Sequence, residues 1–466
     1  MMSSTTTAHP ATTKRATIVG GGPAGALMAI YLAQNRGFEV DVFEALGEER
    51  ISGPTVKSWN VVLFDRGLKA LETAGVNLKQ EAGDLAIRLI GSQRHHAKNK
   101  SSAFFNGSLS ICRGDFATAL LKRANNLDNV KVHFGCSFTA VDLDNSRVAT
   151  FERLEGGSED CGYDMLVGAD GVNSRVRSAL EEIVPDFTVR QREDAMSFKT
   201  ILIPIMDIAG AEEDWQSRFH VFNTKIGCLI APPRSDGMLT TTVVQPGEGN
   251  ASFEALMKTP QDVRDFFAKW YPTAFGPDGP SKEIAEDFFQ RRPQHLMSTY
   301  CSSLTHGNVV LIGDAAHSMW ASLGQGVNAA LEDCRVLADV IDSFEGEGKP
   351  EDQSSGIATV LKAYNKRRLD DAHAATELSE EGMGGGRTMR PAFMAQLALV
   401  VILNKTLGRL FPKIFAPPSI MRISGSDDSY ADMLQGVKRE ARVLKGLVVA
   451  GLGAGLAFGA RAVLRV

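Results

Sequence analysis

The stretch IVGGGPAG at Ile18–Gly25 constrains the fold of this chain more than any other. Apolar Ala16 to Val19 reads as a short buried strand, Gly20 to Gly25 as a turn, and Ala26 to Gln34 as a helix closed by Gly37. FEVDVFE then supplies a second strand, which ends on Glu44. A strand, turn, helix, strand order implies a parallel sheet and an α/β fold.

Gly20, Gly22 and Gly25 fit the G-x-G-x-x-G pattern. One glycine makes the turn, one lets the backbone approach a pyrophosphate, and one lets the helix pack on the strand. Glu44 stands where a carboxylate accepts hydrogen bonds from a ribose. The strand before and the helix after the glycines favour dinucleotide binding over a plain tight turn.

Two further strand-and-turn units follow. DMLVGADGVNSRVRSAL runs from an apolar strand into Asp170-Gly171 and then Ser174, Arg175 and Arg177; by itself it also reads as a surface turn capping a helix. VVLIGDAAHSMWASLGQGVNAALEDC places Asp314 at the end of a strand. Its Gly324-Gln325-Gly326 turn leads into a helix with Val327, Leu331, Cys334, Leu337 and Ile341 on one face. Backbone amides at that helix start can face a polar or anionic cofactor edge.

These three motifs, in this order and over nearly the whole chain, resemble the single-component, FAD-dependent monooxygenases of the aromatic-hydroxylase type. The resemblance implies that Gly20, Gly22, Gly25 and Glu44 hold the ADP half of FAD. It places Asp170 near FAD and NAD(P)H, and Asp314 on the ribityl chain. LSICRGDFATALL is similar to the segment in which an arginine, here Arg113, touches FAD. Within the family the similarity is greatest to the kynurenine 3-monooxygenases, through SWNVVLFDRGLKAL, DVRDFFAKWYP, GDAAH, GQGVNAALEDC, DDAHAATELS and YADMLQGVKRE. By that likeness Val327 and Asn328 offer backbone contacts to the flavin ring.

The resemblance is uneven at the substrate pocket. Arg88 matches an arginine that pairs with the kynurenine carboxylate, and Tyr430 a tyrosine that also contacts that substrate. The partner tyrosine is replaced by Asn106, and the substrate-contacting asparagine falls near Gly382. Ala321 stands where the family has proline beside the reacting face of the flavin, flanked by the further replacements Trp320 and Ser322. The implied activity is insertion of one atom of O2 into an electron-rich aromatic or unsaturated small molecule, with FAD as cofactor and NAD(P)H as co-substrate. The reacting chemistry belongs to the flavin, and no catalytic side chain is assigned. The alternatives are a flavin reductase, epoxidase or halogenase on the same fold, and a non-catalytic, membrane-tethered carrier that kept the fold. The halogenase is disfavoured because it needs a Trp-x-Trp-x-Ile-Pro element, and only EEDWQSRF is present.

The expected architecture is a Rossmann-like FAD-binding domain (16–85, 110–185 and 291–344) with an inserted, mainly antiparallel substrate domain (86–109 and 186–290). Residues 1–15 are expected to form a flexible lead, 345–442 a helical region, and 443–466 an apolar tail. The uncharged run Gly446–Ala460 follows Lys438, Arg439, Arg442 and Lys445. It is shorter than the about 20 residues that span a bilayer upright, but flanking basic side chains extend its reach. It reads as a membrane anchor, the alternative being a helix lying on the protein or the membrane surface. The resemblance implies attachment to the outer mitochondrial membrane with the catalytic part facing the cytosol; the endoplasmic reticulum or another organelle membrane is the alternative.

Composition adds exclusions. The 466 residues carry 50 Lys+Arg against 55 Asp+Glu, a net charge of −5, so nucleic acid is not the expected partner. The cysteines are scattered, without metal-ligand spacing, which suits a reducing compartment. His95 and His96 are adjacent and would face opposite sides of a strand; they read as solvated loop residues rather than metal ligands.

Overall fold

The computed structural model describes residues 13–34, 36–48, 59–95, 100–102, 107–143, 146–208, 213–346, 353–380, 391–410 and 423–463. From Leu447 on, only the helical backbone is described. The N-terminal lead up to residue 12, His96, Asn106, Gly382 and residues 347–352 lie outside the described residues.

Strand Lys14–Val19 is central in a six-stranded sheet. It pairs in parallel with Phe38–Glu44 on one side and Met165–Gly168 on the other. Val130–Phe134 extends the sheet at one edge, and Val309–Leu311 with its antiparallel partner Thr305–His306 at the other. Central strands buried on both faces need apolar side chains throughout, which Ala16, Ile18, Val19, Met165, Leu166 and Val167 supply. Helices Pro23–Ala33, Arg113–Asn125 and Gly326–Gly346 pack around this sheet in one continuous core.

A second sheet has seven strands in the order Gln294–Cys301, Val189–Pro204, Met238–Pro246, Cys228–Ala231, Arg218–Asn223, Gly91–His95 and Lys100–Ser102. All its pairings are antiparallel except Arg218–Asn223 with Gly91–His95. Its two faces differ. Ile201, Ile203, Phe222, Leu229, Leu239 and Val243 are buried against helices Pro260–Trp270 and Lys282–Gln290, in a separate core. Val263, Phe266 and Phe267 fill that core from the first helix, whose start is fixed by a capping box between Thr259 and Asp262. The alternate residues Thr200, Leu202, Val221, Ile230, Thr242 and Val244 are only half-buried.

His95 corrects the reading of a solvated loop histidine. It ends strand Gly91–His95, is buried, lies 3.0 Å from His220 Nδ1 through Nε2, and stacks on Phe222. The strand continues through His95, and its pairing with Phe222 puts His95 on the helix-covered face.

The C-terminal helix runs unbroken as Tyr430–Val463, across the expected boundary at 443. Among the described residues no helix is long and apolar enough to cross a membrane. The apolar run itself lies where side chains are not described.

Candidate cofactor and substrate cleft

The first glycine turn is shaped by contacts that only glycine tolerates. Gly20 has φ +103°, and a Cβ there would stand 2.5 Å from the carbonyl oxygen of Ala169. A Cβ on Gly25 would meet the Gly20 carbonyl oxygen at 1.9 Å. Gly22 differs: its nearest neighbour is the Arg113 guanidinium, 3.9 Å away, so its Cα side is open. The turn is thus compressed from behind and open in front, the shape a bound pyrophosphate requires.

Glu44 is tied into the same turn. One carboxylate oxygen accepts the Gly21 amide at 2.7 Å and the other the Leu46 amide at 2.9 Å. Arg113 starts helix Arg113–Asn125, its amide donates to the Trp59 carbonyl at 3.1 Å, and its exposed guanidinium lies 5.5 Å from the Trp59 ring centre.

Asp170 is consumed locally. Its carboxylate accepts from Ser174 Oγ at 2.5 Å and from the amides of Arg175 at 2.7 Å and Val176 at 3.2 Å. Burial raises its pKa, and these hydrogen bonds only partly oppose the rise. The carboxylate fixes the start of helix Arg175–Ile183, so the helix-capping reading describes its side chain. The loop still reaches the third motif, because buried Arg177 donates to the carbonyls of Val172 at 2.7 Å and Ala315 at 2.9 Å.

Asp314 opens a short helix, Asp314–His317, after strand Val309–Leu311. It is exposed although protein surrounds it, because its carboxylate faces open cleft space rather than the outer surface. Desolvation raises its pKa, with Arg113 and His317 pulling the other way. A Cβ on Gly326 would be 3.9 Å from its Oδ1, which puts the start of helix Gly326–Gly346 beside it. The first amides of a helix have no partner inside it, and here they belong to Gly326, Val327 and Asn328. The Asn328 side chain is occupied elsewhere: Oδ1 accepts the Phe64 amide at 2.8 Å, and Nδ2 donates to the Val62 and Gly324 carbonyls.

The glycine turn, Arg113 and Asp314 therefore meet at one cleft. Its residues fit FAD: a backbone cradle for the pyrophosphate, a carboxylate beside the expected ribose, a cation, and the Asp314 carboxylate next to the first amides of helix Gly326–Gly346.

The half-buried face of the seven-stranded sheet contacts strand Asn60–Leu63, which pairs with the strand leading into Arg113. Thr240, on that face, donates to Asn60 Oδ1 at 2.7 Å, and Phe219 packs on Val62, Phe64 and Leu89. Thr200, Thr242, Ile230 and Val221 form one row across the strands, and the two threonine hydroxyls are 3.0 Å apart.

Arg88 lies exposed on the edge strand Ile87–Arg88, paired with Leu109. Tyr430 is fully buried; its hydroxyl donates to Gln325 Oε1 at 3.0 Å and its ring lies 3.9 Å under the Arg66 guanidinium. Arg88 and Tyr430 thus lie on different elements, and no contact joins them among the described residues.

Sequence reasoning missed a buried ionic network behind the cleft. Arg66 donates to both Glu332 oxygens at 2.7 Å. Arg368 binds Asp333 at 2.7 Å, Glu332 at 2.8 Å and Asp371 at 2.6 Å. The available signal was Glu332-Asp333 set between the buried apolar positions Leu331 and Cys334 of helix Gly326–Gly346, where charged side chains require partners.

A family pattern described as an FAD binding domain matches residues 13–379. Among curated relatives, kynurenine 3-monooxygenase of Salinispora arenicola is 28% identical over 457 residues, covering 96% of this chain and 95% of that protein. Kynurenine 3-monooxygenase of Cytophaga hutchinsonii is 32% identical over 376 residues, 78% of each. The fold matches 2-methyl-3-hydroxypyridine-5-carboxylic acid oxygenase in its tetrameric form, with TM-score 0.62, 22% identity, and 82% of this chain and 96% of that one covered. It also matches Klebsiella pneumoniae HpxO complexed with FAD and uric acid, with TM-score 0.60, 18% identity, and 91% and 97% covered. With its glycine cradle, its deep aspartate and these relatives, the chain belongs to the FAD-dependent monooxygenases of the aromatic-hydroxylase type.

Proposed function

We propose that this enzyme uses NAD(P)H and O2 to insert one oxygen atom into an electron-rich, predominantly apolar small molecule, on a kynurenine 3-monooxygenase-like frame with an altered pocket. The observation that carries the reading is the meeting of the glycine turn, Arg113 and Asp314. The half-buried sheet face of Thr200, Leu202, Val221, Ile230, Thr242 and Val244 is the surface this reading assigns to the substrate. FAD supplies the redox and oxygen chemistry when bound. In this reading Gly20, Gly22 and Gly25 hold its pyrophosphate, Glu44 its ribose and Arg113 its phosphates. Asp314 binds the ribityl chain, and the amides of Val327 and Asn328 face the ring. The apolar sheet face orients the substrate and excludes water, and the Thr200–Thr242 pair is its central polar contact. Arg88 at the edge favours an acidic substituent through a charge-assisted pair.

A panel of kynurenine, phenols, indoles and terpenoids tests this proposal, with NADPH oxidation followed by product mass. A gain of one oxygen atom supports it. NADPH oxidation with FAD present and no oxygenated product from any class favours the flavin reductase, and a colourless protein that takes up no FAD favours the carrier.

Attachment to a membrane is a second reading, favoured by helix Pro391–Leu407. That helix is rich in apolar residues, yet Leu399 is 41% and Ile402 56% exposed. Exposed Lys438, Arg439, Arg442 and Lys445 then precede the uncharged run. An exposed apolar helix surface and a basic stretch each suit an anionic lipid surface.

A further inference from the structure

We propose that Ser379 and Glu380 are positioning residues that hold the Trp320–Ser322 backbone at the cleft and tie it to the strands roofing the substrate space. The inference rests on the oxygenase reading above for its consequence, though not for its geometry.

The segment Ala321–Leu323 is a single 3₁₀ turn between Asp314 and Gly326, and exposed Ala321 offers no side chain to anchor it. So short a turn takes its position from its neighbours. Ser379 grips it from both sides. Its Oγ accepts the Trp320 amide at 3.1 Å while donating to the Thr376 carbonyl at 2.7 Å, and its own carbonyl accepts Ser322 Oγ at 2.6 Å. Ser379 is 1% exposed, so no water competes for these bonds.

Glu380 continues the link outward. Its buried carboxylate accepts from Ser298 Oγ at 2.5 Å, Tyr300 OH at 3.2 Å and Arg192 at 3.0 Å. Burial first, and Glu380 second, push the Tyr300 phenol above its ordinary value. Arg192 in turn lies 5.3 Å over the Trp320 ring. Strand Gln294–Cys301 reaches the same segment independently: the Thr299 amide donates to the Ser318 carbonyl at 2.9 Å, and their hydroxyls are 2.7 Å apart. Strands Val189–Pro204 and Gln294–Cys301 belong to the substrate-facing sheet, so a shift of that sheet is transmitted to residues 318–322 through side chains with two or more partners each. A buried carboxylate with three donors costs too much to leave unpaired, which makes the link stiff.

The consequence is control of how O2 is spent. With the segment in place, RH + O2 + NAD(P)H + H⁺ gives ROH + H2O + NAD(P)⁺. With it displaced, NAD(P)H + H⁺ + O2 gives NAD(P)⁺ + H2O2, and the substrate is left unchanged.

The test uses the full-length, FAD-loaded protein and the variants Ser379→Ala, Glu380→Gln and Ser322→Ala, the last removing one bond from the half-buried loop side. FAD content, visible circular dichroism of the bound flavin, and peroxide formed per NADPH oxidised are measured. Expected are stoichiometric FAD, an altered flavin dichroism, and an about fivefold higher ratio of peroxide to product, the ratio set by losing one hydrogen bond. A folded, FAD-replete set with the parent's dichroism and peroxide ratio overturns the proposal. If Ser379→Ala fails to fold, Ser322→Ala decides by the same two readouts. If the parent oxygenates nothing, the functional reading fails, while the dichroism still decides the positioning role.

Discussion

His317 Nε2 lies 2.6 Å from a carboxylate oxygen of Asp333, and the same oxygen accepts the Gly313 amide at 2.7 Å. One side chain of helix Gly326–Gly346 therefore grips the turn that presents Asp314 from both ends. The other oxygen accepts Arg368 Nε, which extends the grip to helix Gln353–Leu378. Burial opposes ionisation of Asp333, but His317 and Arg368 outweigh it and lower its pKa.

Asp333→Ala should therefore destabilise the protein by about 3 to 5 kcal/mol at pH 7, the range for removing one member of a buried ionic cluster. A depressed folded-state pKa means that the ionised aspartate stabilises the fold above its unfolded value near 4, and that this contribution is lost as the pH falls through the lower folded value. The gap between parent and Asp333→Asn in denaturant titrations should accordingly narrow below about pH 4. A gap that widens in acid would contradict the assignment.

Asp314 has the opposite sign. Desolvation raises its folded pKa, so its ionised form opposes folding of the cofactor-free protein, by an amount that grows as the pH rises above about 4. Asp314→Asn should make the apoprotein more stable at pH 7 and leave it unchanged near pH 3. Asp314→Ala should weaken FAD retention sharply, as read by flavin fluorescence released on dilution. Tight FAD binding by Asp314→Ala would show that the carboxylate does not face the cofactor.

How much was legible in the sequence differs between backbone and side chains. The first glycine turn was readable because its spacing is local and Gly25 is dictated by the Gly20 carbonyl within one strand-turn-helix unit, although the crowding at Gly20 itself comes from Ala169, far along the chain. The placement of Tyr430 was not readable, because it depends on Arg66 and Gln325, far away in the chain. The partners of Glu332, Arg66 and Arg368, were unreadable for the same reason. His95 was misread because a polar residue at the end of a polar strand gives no sign of the aromatic pocket formed by Phe222 and Trp215.

Gly25→Ala tests the cradle without touching any charged group. Its new Cβ would sit 1.9 Å from the Gly20 carbonyl oxygen, a backbone atom that cannot rotate away. Strand and helix must separate, at a cost of about 1 to 3 kcal/mol or more. The melting temperature should fall and the fraction of FAD co-purifying with the protein should drop. Parent-like values for both would mean that the turn is looser than its contacts indicate.

The membrane reading is tested by removing its two parts separately. Deletion of 446–466 removes the uncharged run but keeps the basic residues through Lys445 and the exposed apolar helix Pro391–Leu407. If the tail is the main anchor, flotation with anionic vesicles should lose most of the bound protein on this deletion. Residual binding should disappear when Leu399→Glu and Ile402→Glu are added, since charge on an apolar helix face opposes insertion at the lipid boundary. Residual binding should also weaken at high salt if Lys438, Arg439, Arg442 and Lys445 contribute through anionic headgroups. Equal flotation of the parent, the deletion and the double substitution would refute attachment through either element.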